Sequence, residues 1–238
     1  MKFVSLFAGI GGFDLGLERA GHECILQVEI DSFCRQVLEK HWPAVRRIAD
    51  VRDVTAGDCA GADMIVGGFP CQPVSLAGKR LGVDDERWLW PEYERLLGVV
   101  RPRYALVENV PGLFHGGFGD VLGGLAALGY DAEWQVIPAA ALGAPHHRER
   151  VFIVAYSSGS RLQGCLLEES ICIQPRTSSA KLGDRDIACG GWWYANRADI
   201  CVGDGVSTRL ARRIVKPVGN AVVPQVAEWI GRRLQAGA

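Results

Sequence analysis

An α/β architecture, a mainly parallel sheet joined by helical crossovers, is what this sequence predicts, and three observations predict it. Short apolar runs alternate with amphipathic stretches through the first two-thirds of the 238 residues, the first run leads into a glycine cluster, and later runs are closed by a carboxyl residue or followed by a cysteine-bearing loop. Strand, helix, strand repeated in this way builds a parallel sheet, because each crossover helix returns the chain to the same edge.

In order, Lys2–Phe7 reads as a strand and Gly12–Ala20 as a helix, followed by a strand at Cys24–Val28 and a helix at Ser32–Lys40. A strand at Asp63–Val66 precedes a helix at Glu92–Val99, and a strand at Tyr104–Glu108 precedes a helix at Phe118–Leu128. Trp134–Ile137 and Val151–Tyr156 are two further strand candidates. From Ser157 to about Val206 the rhythm stops. That stretch is rich in Ser, Gly, Arg and Cys and contains Trp192, Trp193 and Tyr194. It is too long for an ordinary loop, so it reads as a functional insertion or small lobe. Ala221–Leu234 is helical again, with Val222, Val226, Trp229, Ile230 and Leu234 near one face, and is expected to dock back onto the sheet domain. The expected organisation is therefore residues 1–156 plus 216–238 as one domain and residues 157–215 as a small lobe.

With 48% hydrophobic residues the chain can bury a substantial core. The first residues lack the sustained apolar core of a signal peptide, and no run approaches the roughly 18 apolar residues of a membrane span. A cytoplasmic protein with no membrane association is expected, and in that compartment the eight cysteines are reduced thiols rather than a disulfide framework. The net charge of −1 carries no global mark of nucleic-acid binding. Arginines concentrate in the second half, either as a basic face or as a scatter of solvated side chains.

Ala8-Gly9-Ile10-Gly11-Gly12 is a glycine-rich turn between a strand and a helix, which lets a ligand approach the backbone at the carboxyl edge of a sheet. Glu29 ends the next strand, where an acidic residue binds ribose hydroxyls in nucleotide-binding folds. Together they suggest a nucleoside-containing cofactor. The spacing departs from G-x-G-x-x-G, since Gly12 directly follows Gly11 and Asp14 follows, so a dinucleotide fits less well. Cys71, within Gly68-Phe69-Pro70-Cys71-Gln72-Pro73, opens a loop on the same edge. A thiolate is a strong nucleophile, and Pro-Cys-Gln-Pro is poor core sequence. Glu108, closing the next strand beside Asn109, is a carboxyl group that can supply a proton to an electron-poor ring.

Phe7-Ala8-Gly9-Ile10-Gly11-Gly12-Phe13, Gly68-Phe69-Pro70-Cys71-Gln72, Glu108-Asn109-Val110, Arg148-Glu149-Arg150 and Gly219-Asn220-Ala221-Val222-Val223-Pro224 resemble, in order, successive motifs of the bacterial and phage cytosine-5 DNA methyltransferases. The resemblance implies a Rossmann-like, S-adenosylmethionine-dependent methyltransferase sheet domain with a small irregular target-recognition lobe. It places Phe7, Gly9, Gly11, Gly12, Ile30, Val51 and Pro70 around S-adenosylmethionine or its product S-adenosylhomocysteine. Glu29 falls on the ribose, Asp50 on the adenine amino group, and Asn220 closes the pocket from the tail. Cys71 would add to cytosine carbon 6, Glu108 would protonate ring nitrogen 3, and Arg150 with Arg148 would fix the base. Gln72, Ser75, Lys79, Arg80, Asn109 and His146 fall at positions facing DNA, with Leu76–Arg87 as a mobile loop over a flipped-out nucleotide.

Two departures from the family pattern stand out. His146 occupies the place of a usual glutamine, and the region between Tyr156 and Gly219 is short for target recognition, unless Val206–Lys216 is a reduced version of its supporting motif. Cys165, Cys172, Cys189 and Cys201 form no C-x-x-C pair, so no metal is expected. Trp192, Trp193 and Tyr194 either stack on bases or form the lobe's own core. Expected partners are double-stranded DNA and a cognate restriction endonuclease, with the chain a monomer. An RNA cytosine methyltransferase and a non-catalytic DNA-binding subunit are the alternative readings.

Overall fold

The computed structural model describes residues 1–70, 88–144, 148–157, 217 and 219–236. Among them seven strands form one sheet: β1 (Lys2–Leu6), β2 (Glu23–Val28), β3 (Arg46–Ile48), β4 (Met64–Gly67), β5 (Tyr104–Asn109), β6 (Tyr130–Pro138) and β7 (Glu149–Ser157), in the order β3-β2-β1-β4-β5-β7-β6. The β3-β2-β1-β4-β5 part is parallel, as the sequence predicts, whereas β7 runs antiparallel to both β5 and β6. Five helices accompany it: α1 (Gly12–Arg19), α2 (Ser32–His41), α3 (Trp90–Val100), α4 (Phe118–Ala127) and α5 (Pro224–Ala236).

The sheet is largely apolar on both faces, which is why β1, β4 and β5 read as mainly apolar runs. One face, carrying Phe3, Met64, Val66, Leu106, Phe152 and Val154, packs against Leu17 of α1 and Val226, Ala227, Ile230 and Leu234 of α5. The other, carrying Val4, Ile65, Ala105, Val107 and Ile153, packs against Leu96 and Leu97 of α3 and Val121 and Leu125 of α4. The buried Tyr93 hydroxyl ties α3 to the sheet through the carbonyls of Ile65, at 2.9 Å, and Leu106, at 3.2 Å.

The expected docking of the tail is present and has a steric basis. A Cβ added at Gly16 would lie 2.6 Å from the Ala227 Cβ, and one at Gly231 would lie 2.8 Å from the Ala20 Cβ, so these glycines let α1 and α5 approach at backbone distance. The observed helix begins at Pro224, a residue suited to a first turn that needs no N–H partner.

Two elements differ from the sequence reading. β3 is a three-residue edge strand with no apolar run to announce it. β6 extends well beyond Trp134–Ile137 on both sides, because as an edge strand it carries Asp131, Glu133 and Gln135 along its length and so lacks the apolar signature of the central strands. Among the described residues, no helix is long and apolar enough to cross a membrane. The described cysteines, Cys24, Cys34 and Cys59, are buried free thiols. The expected lobe lies outside the described residues.

Candidate active site

The order of strands reverses direction at β1, which has β2 on one side and β4 on the other. At such a switch point the loops leaving the carboxyl ends of neighbouring strands diverge and open a crevice. Leu6 is level with Gly67, and Gly67 with Val107, so the segments after β1, β4 and β5 emerge side by side. Phe7–Gly12 follow β1, Gly68–Pro70 follow β4, and Glu108 and Asn109 close β5 itself.

The β1–α1 turn is built from left-handed backbone: φ is 53° at Phe7, 56° at Gly9 and 89° at Gly11. Phe7 adopts a conformation that side-chain-bearing residues rarely take, and the turn is held by the Ala8 N–H donating to the Val28 carbonyl at 3.0 Å. A Cβ at Gly11 would strike the Trp42 ring at 2.5 Å, so glycine is required there for packing as well as for φ. A Cβ at Gly9 would meet nothing within 4 Å, leaving open space above the turn.

Glu29 follows β2 and faces this turn. One carboxyl oxygen accepts the Gly9 N–H and the other the Asp31 N–H, both at 2.7 Å. Burial raises its pKa, against the lowering effect of those two amides. Each oxygen keeps a second lone pair, which suits a diol donor such as a ribose. Ile30 beside it is 68% exposed, an apolar surface at the rim of the same crevice. Asp50 caps the short turn Val51–Asp53 and is paired with Arg52 at 2.6 Å, which lowers its pKa. The open glycine turn, the buried carboxyl group and the apolar rim together fit a nucleoside-bearing ligand.

At the other end of the crevice, Glu108 is almost wholly buried and forms an ion pair with Arg150, Nε to Oε1 at 2.9 Å. The two are diagonal neighbours across the antiparallel β5–β7 ladder, since Glu108 stands opposite Phe152. The other Glu108 oxygen reaches over Gly68, where a Cβ would lie 2.5 Å from it. Burial pushes the Glu108 pKa up, while Arg150 and Arg148 pull it back. Asn109 donates to the Phe69 carbonyl at 3.3 Å and so fixes the chain two residues before Cys71. Arg148 donates to the carbonyls of Gly219 and Ala221, both at 2.6 Å, which brings Asn220 and the tail to this edge.

The structure thus brings together Phe7, Gly9, Gly11, Gly12, Glu29 and Ile30 at one end, and Pro70, Glu108, Asn109, Arg148 and Arg150 at the other, with Asp50 and Val51 after β3. Cys71, Gln72, Ser75, Lys79, Arg80 and His146 lie outside the described residues. Three supports are not evident from motifs. Asp14, wholly buried in α1, accepts from Ser5 Oγ and Gln27 Nε2, each at 2.9 Å, and from the Cys24 thiol, so it ties the turn to β1 and β2. Arg95 of α3 donates to the carbonyls of Val51 and Val54, both at 3.1 Å, and holds the Asp50 turn. Arg35 donates to the carbonyls of Glu29, at 2.9 Å, and Ile30, at 2.7 Å. An aspartate in an apolar helix face is a signal for the first; spacing offers none for the two arginines.

Residues 1–186 match the family model of C-5 cytosine-specific DNA methylases. The Type II methyltransferase M.HgiCII of Herpetosiphon aurantiacus is 38% identical over 159 residues, covering 64% of this chain and 36% of that protein. M.NgoMIV of Neisseria gonorrhoeae is 41% identical over 162 residues, covering 65% and 52%. A crystal structure of a prophage-encoded protein from E. coli, described as a DNA modification methyltransferase, matches with a TM-score of 0.60 at 28% identity, over 69% of this chain and 49% of that one. The Dnmt2 methyltransferase of S. pombe shares the fold, with a TM-score of 0.56 at 21% identity, over 66% and 51%. The chain spans about a third to a half of the length of these curated relatives. Since the family model covers most of the chain and its glycine turn, Glu108 and Arg150 converge on one sheet edge, the chain belongs to the C-5 cytosine-specific DNA methylase family.

Proposed function

We propose that the protein is a DNA (cytosine-5) methyltransferase that uses S-adenosylmethionine and modifies a flipped-out cytosine within a short duplex sequence through a covalent Cys71 adduct. The single observation that carries this reading is the buried Glu108–Arg150 pair, reaching over Gly68 at the head of the segment that bears Cys71.

Cytosine carbon 5 is a poor nucleophile, so the ring must first be activated. The Cys71 thiolate adds to carbon 6, forming the S–C6 bond, while Glu108 gives its proton to ring nitrogen 3. The displaced π electrons then leave carbon 5 as the nucleophilic end of an enamine. A carboxyl group whose pKa is raised by burial keeps that proton at higher pH than an exposed one, which suits Glu108 to the task. Arg150 stabilises the carboxylate left behind and presents its remaining N–H groups to the base. S-adenosylmethionine supplies the electrophilic methyl that carbon 5 takes up. Methyl uptake leaves S-adenosylhomocysteine, and nitrogen 3 returns its proton to Glu108. Loss of the carbon-5 proton to solvent then leaves its electron pair to form the C5–C6 double bond and expels Cys71 as thiolate. Glu29 would accept the ribose hydroxyls of the cofactor, Ile30 would lie against it, Asp50 would take the adenine amino group, and Asn220 would close the pocket. The sheet residues with the tail form the catalytic domain, residues 157–215 read the target, and Leu76–Arg87 closes over the flipped base, whose extrusion costs a few kcal/mol.

The test is a duplex carrying 5-fluorocytosine, whose carbon-5 fluorine cannot leave as a proton does. The wild-type protein with S-adenosylmethionine is expected to form a denaturant-resistant protein–DNA adduct, and Cys71→Ser none. An adduct formed equally by Cys71→Ser would overturn the assignment.

A further inference from the structure

Arg148 belongs by resemblance with the groups that grip the base, yet its guanidinium faces the tail. Its two terminal nitrogens donate to the Gly219 and Ala221 carbonyls at 2.6 Å each, so they bracket Asn220. The backbone at Arg148 is left-handed, with φ of 32°, a conformation that a residue with a side chain keeps only when its surroundings impose it. Only arginine offers two parallel donors in one rigid plane, which matches two carbonyls separated by a single intervening residue.

The same tail is held from the opposite side. Gly12 lies against Val222, and a Cβ there would sit 2.9 Å from the Val222 carbonyl carbon and 3.0 Å from its nitrogen. Val223 is buried, and its carbonyl accepts from Val226 and Ala227 as α5 begins. Residues 219–223 are therefore laid between the glycine turn, which belongs to the cofactor end, and Arg148, which stands two residues from the Arg150–Glu108 pair at the reacting end.

We propose that Arg148 is a positioning residue that docks residues 219–223 against the glycine turn and thereby sets the affinity for the cofactor, rather than contacting DNA. The proposal rests on the reading that Asn220 closes the S-adenosylmethionine pocket. A ligand that binds only the docked form has an apparent dissociation constant raised by the reciprocal of the docked fraction, so loosening the tail weakens binding without altering any group that touches the ligand.

The experiment measures S-adenosylmethionine binding by calorimetry without DNA, and duplex binding by fluorescence anisotropy, on the wild type, Arg148→Ala, Arg148→Lys, Arg150→Ala and Gly12→Ala. Arg148→Ala is expected to raise the cofactor dissociation constant about tenfold while duplex affinity stays near wild type. Arg148→Lys falls between, and Arg150→Ala leaves cofactor affinity in place. Gly12→Ala presses on the tail from the other side, so in a double variant that carries it together with Arg148→Ala the two losses are expected to combine to less than their sum. Hydrogen exchange at the Ala221 and Val222 amides reads docking directly and is expected to speed up in both Arg148 variants. Unchanged cofactor affinity with weakened duplex binding overturns the proposal, as do tail amides that exchange at the wild-type rate. A wild-type chain that binds no S-adenosylmethionine overturns the functional reading instead, and the exchange rates still decide the docking role.

Discussion

Glu108 is a carboxyl group that the fold has removed from water, and its consequences separate from those of its neighbours. With burial as the leading cause, its pKa lies above the ordinary 4.5, so the protonated fraction falls as pH rises through that shifted value, and under the proposed mechanism the rate is expected to fall with it. Glu108→Gln keeps the shape, removes the proton, and is expected to lower kcat by about 10²–10⁴-fold and to abolish that alkaline limb in a pH–rate profile. Asp14 makes a parallel case for stability. Burial raises its pKa above 3.8 despite the hydrogen bonds from Gln27, Cys24 and Ser5. A group whose folded pKa exceeds its unfolded value adds stability that is complete below the unfolded value and is lost as pH rises through the folded one. Urea unfolding of Asp14→Asn should therefore show a weaker decline in stability than the wild type as pH rises from 3.8. Glu108 was legible as a position because a carboxyl group is odd at the end of an apolar run; Cys71, singled out on similar grounds, lies outside the described residues. Arg95 and Arg35 were not legible, because an arginine that donates to backbone carbonyls, of a distant turn for Arg95 and of the preceding loop for Arg35, looks like any surface arginine until the fold sets the carbonyls beside it.

Among the elements, glycines distinguish contact from slack. Gly16 on α1 has no room for a methyl group against α5, so Gly16→Ala is expected to cost about 1–3 kcal/mol in denaturant unfolding. Gly123 lies inside α4, where an added Cβ meets nothing within 4 Å, and Gly123→Ala should stabilise by about 0.5–1 kcal/mol. The sequence alone cannot tell these two helical glycines apart, since the difference is a partner helix more than 200 residues away in the chain. The central strands were legible because burial on both faces makes them mostly apolar, with Ser5 in β1 and Glu108 and Asn109 at the end of β5 as buried exceptions. The short β3 and the polar-studded β6 escaped because edge strands face water and are not obliged to be apolar. Antiparallel β7 also lay beyond the apolar pattern, because strand direction is set by the connection and leaves no mark on composition.

At the scale of the whole molecule, the parallel sheet and its switch point bring an open glycine turn and a buried carboxyl group to one edge, and the tail joins them through Gly12 and Arg148. That convergence was legible as an ordered series of motifs, while the distances that make it a site were not. The central claim is transfer of a methyl group to cytosine carbon 5 in DNA. It is tested most directly by incubating the protein with unmethylated duplex DNA and methyl-labelled S-adenosylmethionine, then mapping 5-methylcytosine at base resolution. Label on cytosine carbon 5 within one short sequence context, absent with Cys71→Ser, is the predicted result; label confined to RNA, or to no nucleic acid, would contradict it.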